Sequence, residues 1–221
     1  MPGSVVPRRG GGHYKYLRLL ESAKIHEVEL QAHHCRTLLR VARSAIRASL
    51  EGAELPSLDG SEEHSDPLLH QPAGCFVTLH ELFTQRLRGC IGRMEATDPL
   101  LHAVQRSAVN VLSDPRFGRQ RVTLDELPRL QIDISVLSPL RPAEHALDFE
   151  PLSEGIYLTI SRRSGCFLPQ VARDTGWTRE QLLDRLCIEK MGLSCGAWRN
   201  GDARLMKFTT LIIGPEPFEE I

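Results

Sequence analysis

Six consecutive residues, Leu87-Arg88-Gly89-Cys90-Ile91-Gly92, place a thiol, a guanidinium and two glycines in one short stretch. A thiolate is a nucleophile, and a neighbouring cation lowers the thiol pKa and enlarges the thiolate fraction. In an extended segment alternate residues share a face, so Arg88 and Cys90 are expected together, with Leu87 and Ile91 opposite. Glycine weakens a strand interior. Gly89 and Gly92 therefore imply a bulge or the close approach of another group to the backbone. Freed glycine amides could also form an anion-binding nest. The chemical reading is a reactive thiol or an anion pocket. The bland one is a buried cysteine acting as a small hydrophobe, with Arg88 carrying its head out to solvent.

Several other residues gather around this segment as candidates. If residues 82–85 form a four-residue loop, Leu79 faces Arg88 and Val77 faces Cys90. A three- or five-residue loop instead puts Arg88 and Cys90 on the face of Thr78 and His80, where a Cys–His pair could do nucleophilic chemistry. Asp114 and Arg116 flank a proline and form a local ion pair or line the Cys90 pocket. Gln170 and Trp177 lie where a pocket wall could form, although Trp177 and Trp198 are more often core residues. His33-His34-Cys35 invites a metal reading, but adjacent helix positions point about 100° apart and share an ion poorly. His26-Glu27 and His80-Glu81 begin like a zinc-protease helix motif, yet Leu30 and Thr84 stand where its second histidine belongs. No metal site is therefore assigned. No glycine-rich nucleotide loop occurs, and no cofactor is implied.

The elements that must position these residues are readable. Leu38, Leu39, Ala42, Ala45, Ile46 and Leu50 form one buried helix face that Gly52 can end. Residues 52–73 read as an exposed loop. Cys75 to Leu79 is a strand, residues 82–85 turn, and Arg86 to Ile91 returns. Asp98 caps a helix with Pro99 in its first position and Leu100, Leu101, Val104, Ala108, Val111 and Leu112 as its stripe. Asp114-Pro115 stops that helix. Thr123 and Glu126 make a capping box. Leu130, Ile132, Ile134 and Val136 alternate with polar residues as a half-buried strand. A second series follows: a strand from Gly155 to Ile160, a turn from Arg162 to Gly165, and a return strand from Cys166 to Leu168. A helix capped by Thr178 and Gln181 carries Leu182, Leu183, Leu186 and Cys187 and ends near Gly192, and a strand runs from Arg204 to Ile213. Strand–strand–helix–strand thus occurs twice. Both copies are expected to share one core, in an α+β domain with a mainly antiparallel sheet.

The chain has 221 residues, with 25% charged and 41% hydrophobic, as in an ordinary globular protein. No apolar run reaches the roughly 18–20 residues that span a bilayer, and the N-terminus lacks an apolar signal region. A cytoplasmic protein with six reduced thiols is expected. Net charge is −1, which exerts no overall pull on nucleic acid or membrane. Residues 1–50 nevertheless carry nine Lys/Arg against three Glu, a solvated helix face or a phosphate-binding arm. Pro2, Pro7 and Gly10-Gly11-Gly12 suggest a flexible or extra segment over residues 1–30, then one domain over 31–215 and a tail over 216–221.

Gly74-Cys75-Phe76-Val77-Thr78-Leu79 followed by Leu87 to Gly92 resembles the hallmark of the AMMECR-type domain family, whose prokaryotic members are also called AmmeMemoRadiSam system protein A. Asp114-Pro115-Arg116-Phe117, Ile134-Ser135-Val136-Leu137, Leu168-Pro169-Gln170-Val171, Gly176-Trp177, Lys190-Met191-Gly192-Leu193 and Trp198 continue the resemblance in order, over roughly residues 36–213. It implies a duplicated α+β unit forming one barrel-like sheet with flanking helices, and a functional site at the Cys90 motif. It also implies protein partners, namely a Memo-like protein and a radical SAM enzyme in a shared modification pathway. Three functional expectations stand side by side. One is an enzyme or enzyme subunit using Cys90 with Arg88 as electrostatic helper. The second is a non-catalytic adaptor. The third is an RNA-binding module using basic residues 8–47. Oligomeric state has no signature in the sequence.

Overall fold

The computed structural model describes residues 22–25, 28–58, 65–118 and 120–219. Two short strands, β1 (Ser22–Ile25) and β2 (Val28–Gln31), pair antiparallel within the span expected to be an extra N-terminal segment. Leu30 is already core, at 1% exposure. The expectation for residues 1–21 lies outside the described residues. Helix α1 (Ala32–Glu51) starts earlier than its apolar stripe suggested, because Gln31 and His34 form a capping box ahead of it. Gly52 ends it in the left-handed conformation, as expected. Of the expected loop 52–73, residues 67–70 form a 3-10 turn capped by Asp66.

The first structural repeat is β3 (Cys75–Glu81), β4 (Leu87–Arg93), α2 (Leu100–Val111) and β5 (Leu130–Leu137). Asp98 does not cap α2. Pro99 holds that position, and Asp98 instead pairs with Arg106 at 2.8 Å. The Thr123–Glu126 capping box forms as read. After the two-residue strand β6 (Arg141–Pro142), the second repeat is β7 (Glu154–Ile160), β8 (Arg163–Phe167), α3 (Pro169–Thr175), α4 (Arg179–Glu189) and β9 (Ala203–Pro217). The turn between β7 and β8 is tighter than expected. Ile160 pairs with Arg163, so β8 begins inside the segment read as a turn. Helix α3 was not foreseen in the sequence, although Pro169 at its start and left-handed Gly176 at its end are ordinary signals.

All pairings are antiparallel, in the order β4-β3-β5-β9-β7-β8, with β6 also on β9. The order reads outward from the centre as β5-β3-β4 on one side and β9-β7-β8 on the other, so the duplication is a property of the sheet as well as of the chain. The sheet curls into a half-barrel with flanking helices. The expectation of one shared core is corrected. One apolar cluster lies under α1 and α2, including Leu38, Ile46, Val77 and Ile134. A second lies under α4, including Ile156, Leu158, Leu183 and Trp198. Each repeat has its own helix to cover its own strands, and β9 links the two by giving Ile213 to the first cluster and Leu205 to the second.

Two further expectations change. Strand β5 is central and buried on both faces rather than half-buried, with even Gln131 and Ser135 at 3% and 1% exposure. The expected tail is part of the fold. β9 continues to Pro217, and Phe218 packs into the first cluster at 2% exposure. Arg43 of α1 donates to Glu216 Oε2 at 3.0 Å and to the Pro217 carbonyl at 2.8 Å. Among the described residues no helix is long and apolar enough to cross a membrane.

Candidate functional site

The β3–β4 hairpin decides where the Cys90 side chain goes. The Glu81 amide donates to the Arg86 carbonyl at 2.9 Å, so residues 82–85 form a four-residue loop. His80 pairs with Leu87, but Leu79 pairs with Gly89, leaving Arg88 as an extra residue. This bulge shifts the register by one, and a one-residue shift exchanges faces. Cys90 therefore opposes Thr78 rather than Val77, even though the loop has the length that implied the other face. Cys75, Val77 and Leu79 remain against the helices, at 1% exposure or less.

The bulge also separates Arg88 from the thiol, overturning the expectation that they share a face. Arg88 turns to Glu126 and to the carbonyls of Gln120 and Arg121, at 2.8 to 3.1 Å. It is a buried tie between β4 and the segment ahead of β5, not a helper of Cys90. Burial raises the Glu126 carboxyl pKa, but the bonds from Arg88 and Thr123 outweigh it and hold Glu126 below its ordinary range.

Asp114 and Arg116 make a local ion pair and clamp the backbone of Cys90 as well. β4 is an edge strand, so its outward amides and carbonyls need partners. The Cys90 amide donates to Asp114 Oδ2 at 2.9 Å, and Arg116 Nη2 donates to the Cys90 carbonyl at 2.9 Å. The two side chains thus stand in for a missing strand. An anion does sit on a motif amide, and it is the protein's own carboxylate. Burial pushes Asp114 up, yet bonds from Arg116 and from the Cys90 amide bring its pKa below the usual carboxylate range.

The glycines answer to close approach. A Cβ on Gly89 would lie 2.8 Å from both Val111 Cγ2 and the Val111 carbonyl oxygen of α2. One on Gly92 would overlap the Cys75 carbonyl oxygen and the backbone of Phe76.

On the face turned away from α1 and α2, ladder pairing aligns Cys90, Thr78 and Asp133 in one row across β4, β3 and β5. The flanking rows are Leu87–His80–Gln131 and Gly92–Phe76–Ser135. Thr78 Oγ1 donates to Cys90 Sγ at 3.5 Å, and His80 Nδ1 lies 3.5 Å from Asp133 Oδ2. Helix α3 of the second repeat reaches the same face. Gln170 Nε2 donates to Ser135 Oγ at 3.4 Å, and Asp174, one turn further along α3, feels the charge of His80. Thr78, His80, Cys90 and Gln170 are thus brought together, while Arg88 is turned away and Asp114 and Arg116 act from behind the strand.

Burial raises the Cys90 thiol above its ordinary pKa. The Thr78 hydroxyl and Arg116 oppose that rise, while Asp133 and Asp114 reinforce it. Its resting form is the protonated thiol, the reverse of the expectation drawn from a neighbouring guanidinium. Cys166 of β8, pushed up to about 11 by burial, also feels Cys90.

Asp133, Ser135 and Asp174 were not singled out from the sequence. Asp133 was visible only as a polar position of an alternating strand, and Ser135 as another and as part of the Ile134–Leu137 segment of the family resemblance. An open groove of about 500 Å³ beside Leu152, Trp177 and Arg179 contains none of the row residues. A cavity of about 50 Å³ touches Cys75 and Ser107.

Among the described residues, His33, His34 and Asp66 alone gather as possible metal ligands. The hydrogen bonds disfavour that use. His34 Nδ1 accepts the Gln31 amide, so in the neutral ring the proton is on Nε2, where it donates to Asp66 at 2.8 Å. A metal would need the lone pair that this proton occupies. His34 is 2% exposed and serves as a structural cap.

The AMMECR1 family model matches residues 39–213. Protein MJ0810 of Methanocaldococcus jannaschii is 30% identical over 190 residues, covering 83% of this chain and 88% of its own. Protein PH0010 of Pyrococcus horikoshii is 34% identical over 190 residues, covering 81% and 88%. The crystal structure of that uncharacterized protein superposes with a TM-score of 0.73 at 31% identity, covering 81% of this chain and 90% of that one.

Proposed function

The chain belongs to the AMMECR1 family, and from that premise we propose that it is a thiol-centred component of an intracellular modification pathway, with Cys90 as the reacting group. A Memo-like protein and a radical SAM enzyme are its proposed partners. The observation that carries the reading is the row Cys90–Thr78–Asp133 beside His80, a half-buried thiol on a polar face that two repeats build jointly. A purely structural cysteine needs no such surroundings. Cys75, one strand away, is at 1% exposure against the helices with a thiol pushed up to about 12.

A raised thiol pKa requires a base when the thiol reacts. His80, paired with Asp133 on the same face, is that base. The Cys90 proton passes to His80 as sulfur bonds to an electrophilic carbon of the substrate. The bond from that carbon to its leaving group breaks, and the leaving group departs with the electron pair.

The test is the rate of Cys90 alkylation against pH, followed residue by residue by mass spectrometry on the folded protein. Cys90 should label in the native state, with a rate climbing above pH ~9, while Cys75 labels only on unfolding. If Cys90 labels no faster than Cys75, the thiol reading is wrong. Cys90→Ser that folds normally and leaves pathway activity undiminished would also refute it.

A second reading, a non-catalytic adaptor, is favoured by Phe83. It is 85% exposed at the tip of the hairpin that carries Cys90, and an exposed aromatic at such a place suits a protein contact. Absence of binding to purified partners at micromolar concentration, or binding unaffected by Phe83→Ser, would dismiss it.

A further inference from the structure

Helix α3 does more than border the Cys90 face. Its residue Gln170 reaches across from the second repeat to Ser135 of β5, which lies one row from Asp133. That bond uses the amide nitrogen. The amide oxygen, Oε1, is buried and has no partner among the described residues. A buried acceptor without a donor is costly, so folded proteins rarely retain one without a use. The polar groups nearby are also weighted towards acceptors. Asp133 is at 14% side-chain exposure in the Cys90 row. Asp174 follows Gln170 by four residues, so both project from the same side of α3. The Asp174 side chain is solvent-exposed at the rim, yet its carboxyl is pushed up by partial desolvation, with His80 and Arg173 opposing. The cations nearby are already engaged: Arg116 with Asp114 and the Cys90 carbonyl, His80 with Asp133, and Arg173 with the Leu152 carbonyl.

We infer that Gln170, with Asp133 and Asp174, selects the substrate of Cys90, and that the group selected is a nitrogen bearing hydrogens, an amide or an amine, rather than a carboxylate or phosphate. The inference rests on the thiol reading above and specifies its substrate class. An N–H directed at Gln170 Oε1 satisfies the unpaired acceptor. An anion in the same place meets that oxygen and two carboxylates.

The experiment uses three reagents that alkylate thiols by one reaction. Sulfur bonds to carbon, halide leaves with its electron pair, and the thiol proton goes to solvent. Iodoacetamide presents an amide, 2-bromoethylamine an ammonium, and iodoacetate a carboxylate. Each rate at Cys90 in the folded chain is divided by the rate for the same cysteine in urea, which removes intrinsic reactivity. The normalised rate should be about tenfold higher for iodoacetamide than for iodoacetate, the size expected for one hydrogen bond. 2-Bromoethylamine should resemble iodoacetamide. Gln170→Leu should bring the amide-to-carboxylate ratio close to one, and Asp174→Asn should raise the iodoacetate rate alone. The second variant keeps the shape of the rim, so it remains informative if the first fails to fold. Equal normalised rates for all three reagents, or ratios unmoved by both variants, overturn the inference while leaving the thiol reading intact. Absence of native labelling by every reagent overturns both.

Discussion

Replacing Asp114 by Ala should destabilise this protein far more than replacing its ion-pair partner Arg116. The Asp114 side chain is 2% exposed, and its carboxylate accepts the Cys90 amide at 2.9 Å, the Arg116 amide at 3.0 Å and the guanidinium at 3.0 Å. Truncation strands the Cys90 amide at about 1–3 kcal/mol. It also removes the cap of the 3-10 turn Pro115–Phe117, worth about 0.5–2 kcal/mol. The two effects share one carboxylate and are not strictly additive, so a total of about 2–4 kcal/mol is expected. The Arg116 side chain is 48% exposed, and water can replace its bond to the Cys90 carbonyl. Arg116→Ala should therefore cost about 1 kcal/mol or less. The assay is urea unfolding monitored by circular dichroism, with the slope checked for constancy between variants. If Asp114→Ala lies within about 0.5 kcal/mol of the parent, or if Arg116→Ala costs as much, then the carboxylate is not the strand substitute that the geometry describes.

The same clamp gives an acid-stability prediction. Asp114 and Glu126 both have folded pKa values below their unfolded ones, so their contributions are fully present above about pH 5. They are lost as pH falls through the folded values, and Asp114→Asn with Glu126→Gln should flatten the decline in unfolding free energy between about pH 5 and 2. Gly92→Ala should cost at least about 3 kcal/mol or abolish soluble expression, because backbone on the neighbouring strand stands where the Cβ would go. Gly201→Ala, with open space around it, should stay within about 0.5 kcal/mol, and equal losses in urea titrations would refute the packing account. Phe218→Ala should lower stability by about 3–5 kcal/mol; a change below 1 kcal/mol would mean that the C-terminal residues are a tail after all.

Much of the local structure was legible in the sequence. The capping boxes at Thr123–Glu126 and Thr178–Gln181, the stop at Gly52 and the apolar stripes of α1, α2 and α4 depend on neighbours within four residues, so they can be read without the fold. The errors fall where a partner distant in sequence decides. Asp98 preferred Arg106 to a capping role. Residues 216–218 joined the fold because Leu130 and Arg43 receive them, and Phe218 became core. Helix α3 was overlooked because seven residues are too few to display a period.

The candidate site divides the same way. Amino-acid type alone singled out Leu87 to Gly92 as the candidate segment, predicted close approach at the glycines, and marked Thr78, His80 and Gln170 as possible companions. It could not choose the face of Cys90, because strand side chains alternate with period two and one extra residue reverses every assignment beyond it. That residue is Arg88, and what holds it in a bulge is its set of bonds to Glu126, Gln120 and Arg121, more than thirty positions away. The row Cys90–Thr78–Asp133, the separation of Arg88 from the thiol and the reach of Gln170 from the second repeat were therefore decided by tertiary structure, since each depends on cross-strand pairing or long-range hydrogen bonds.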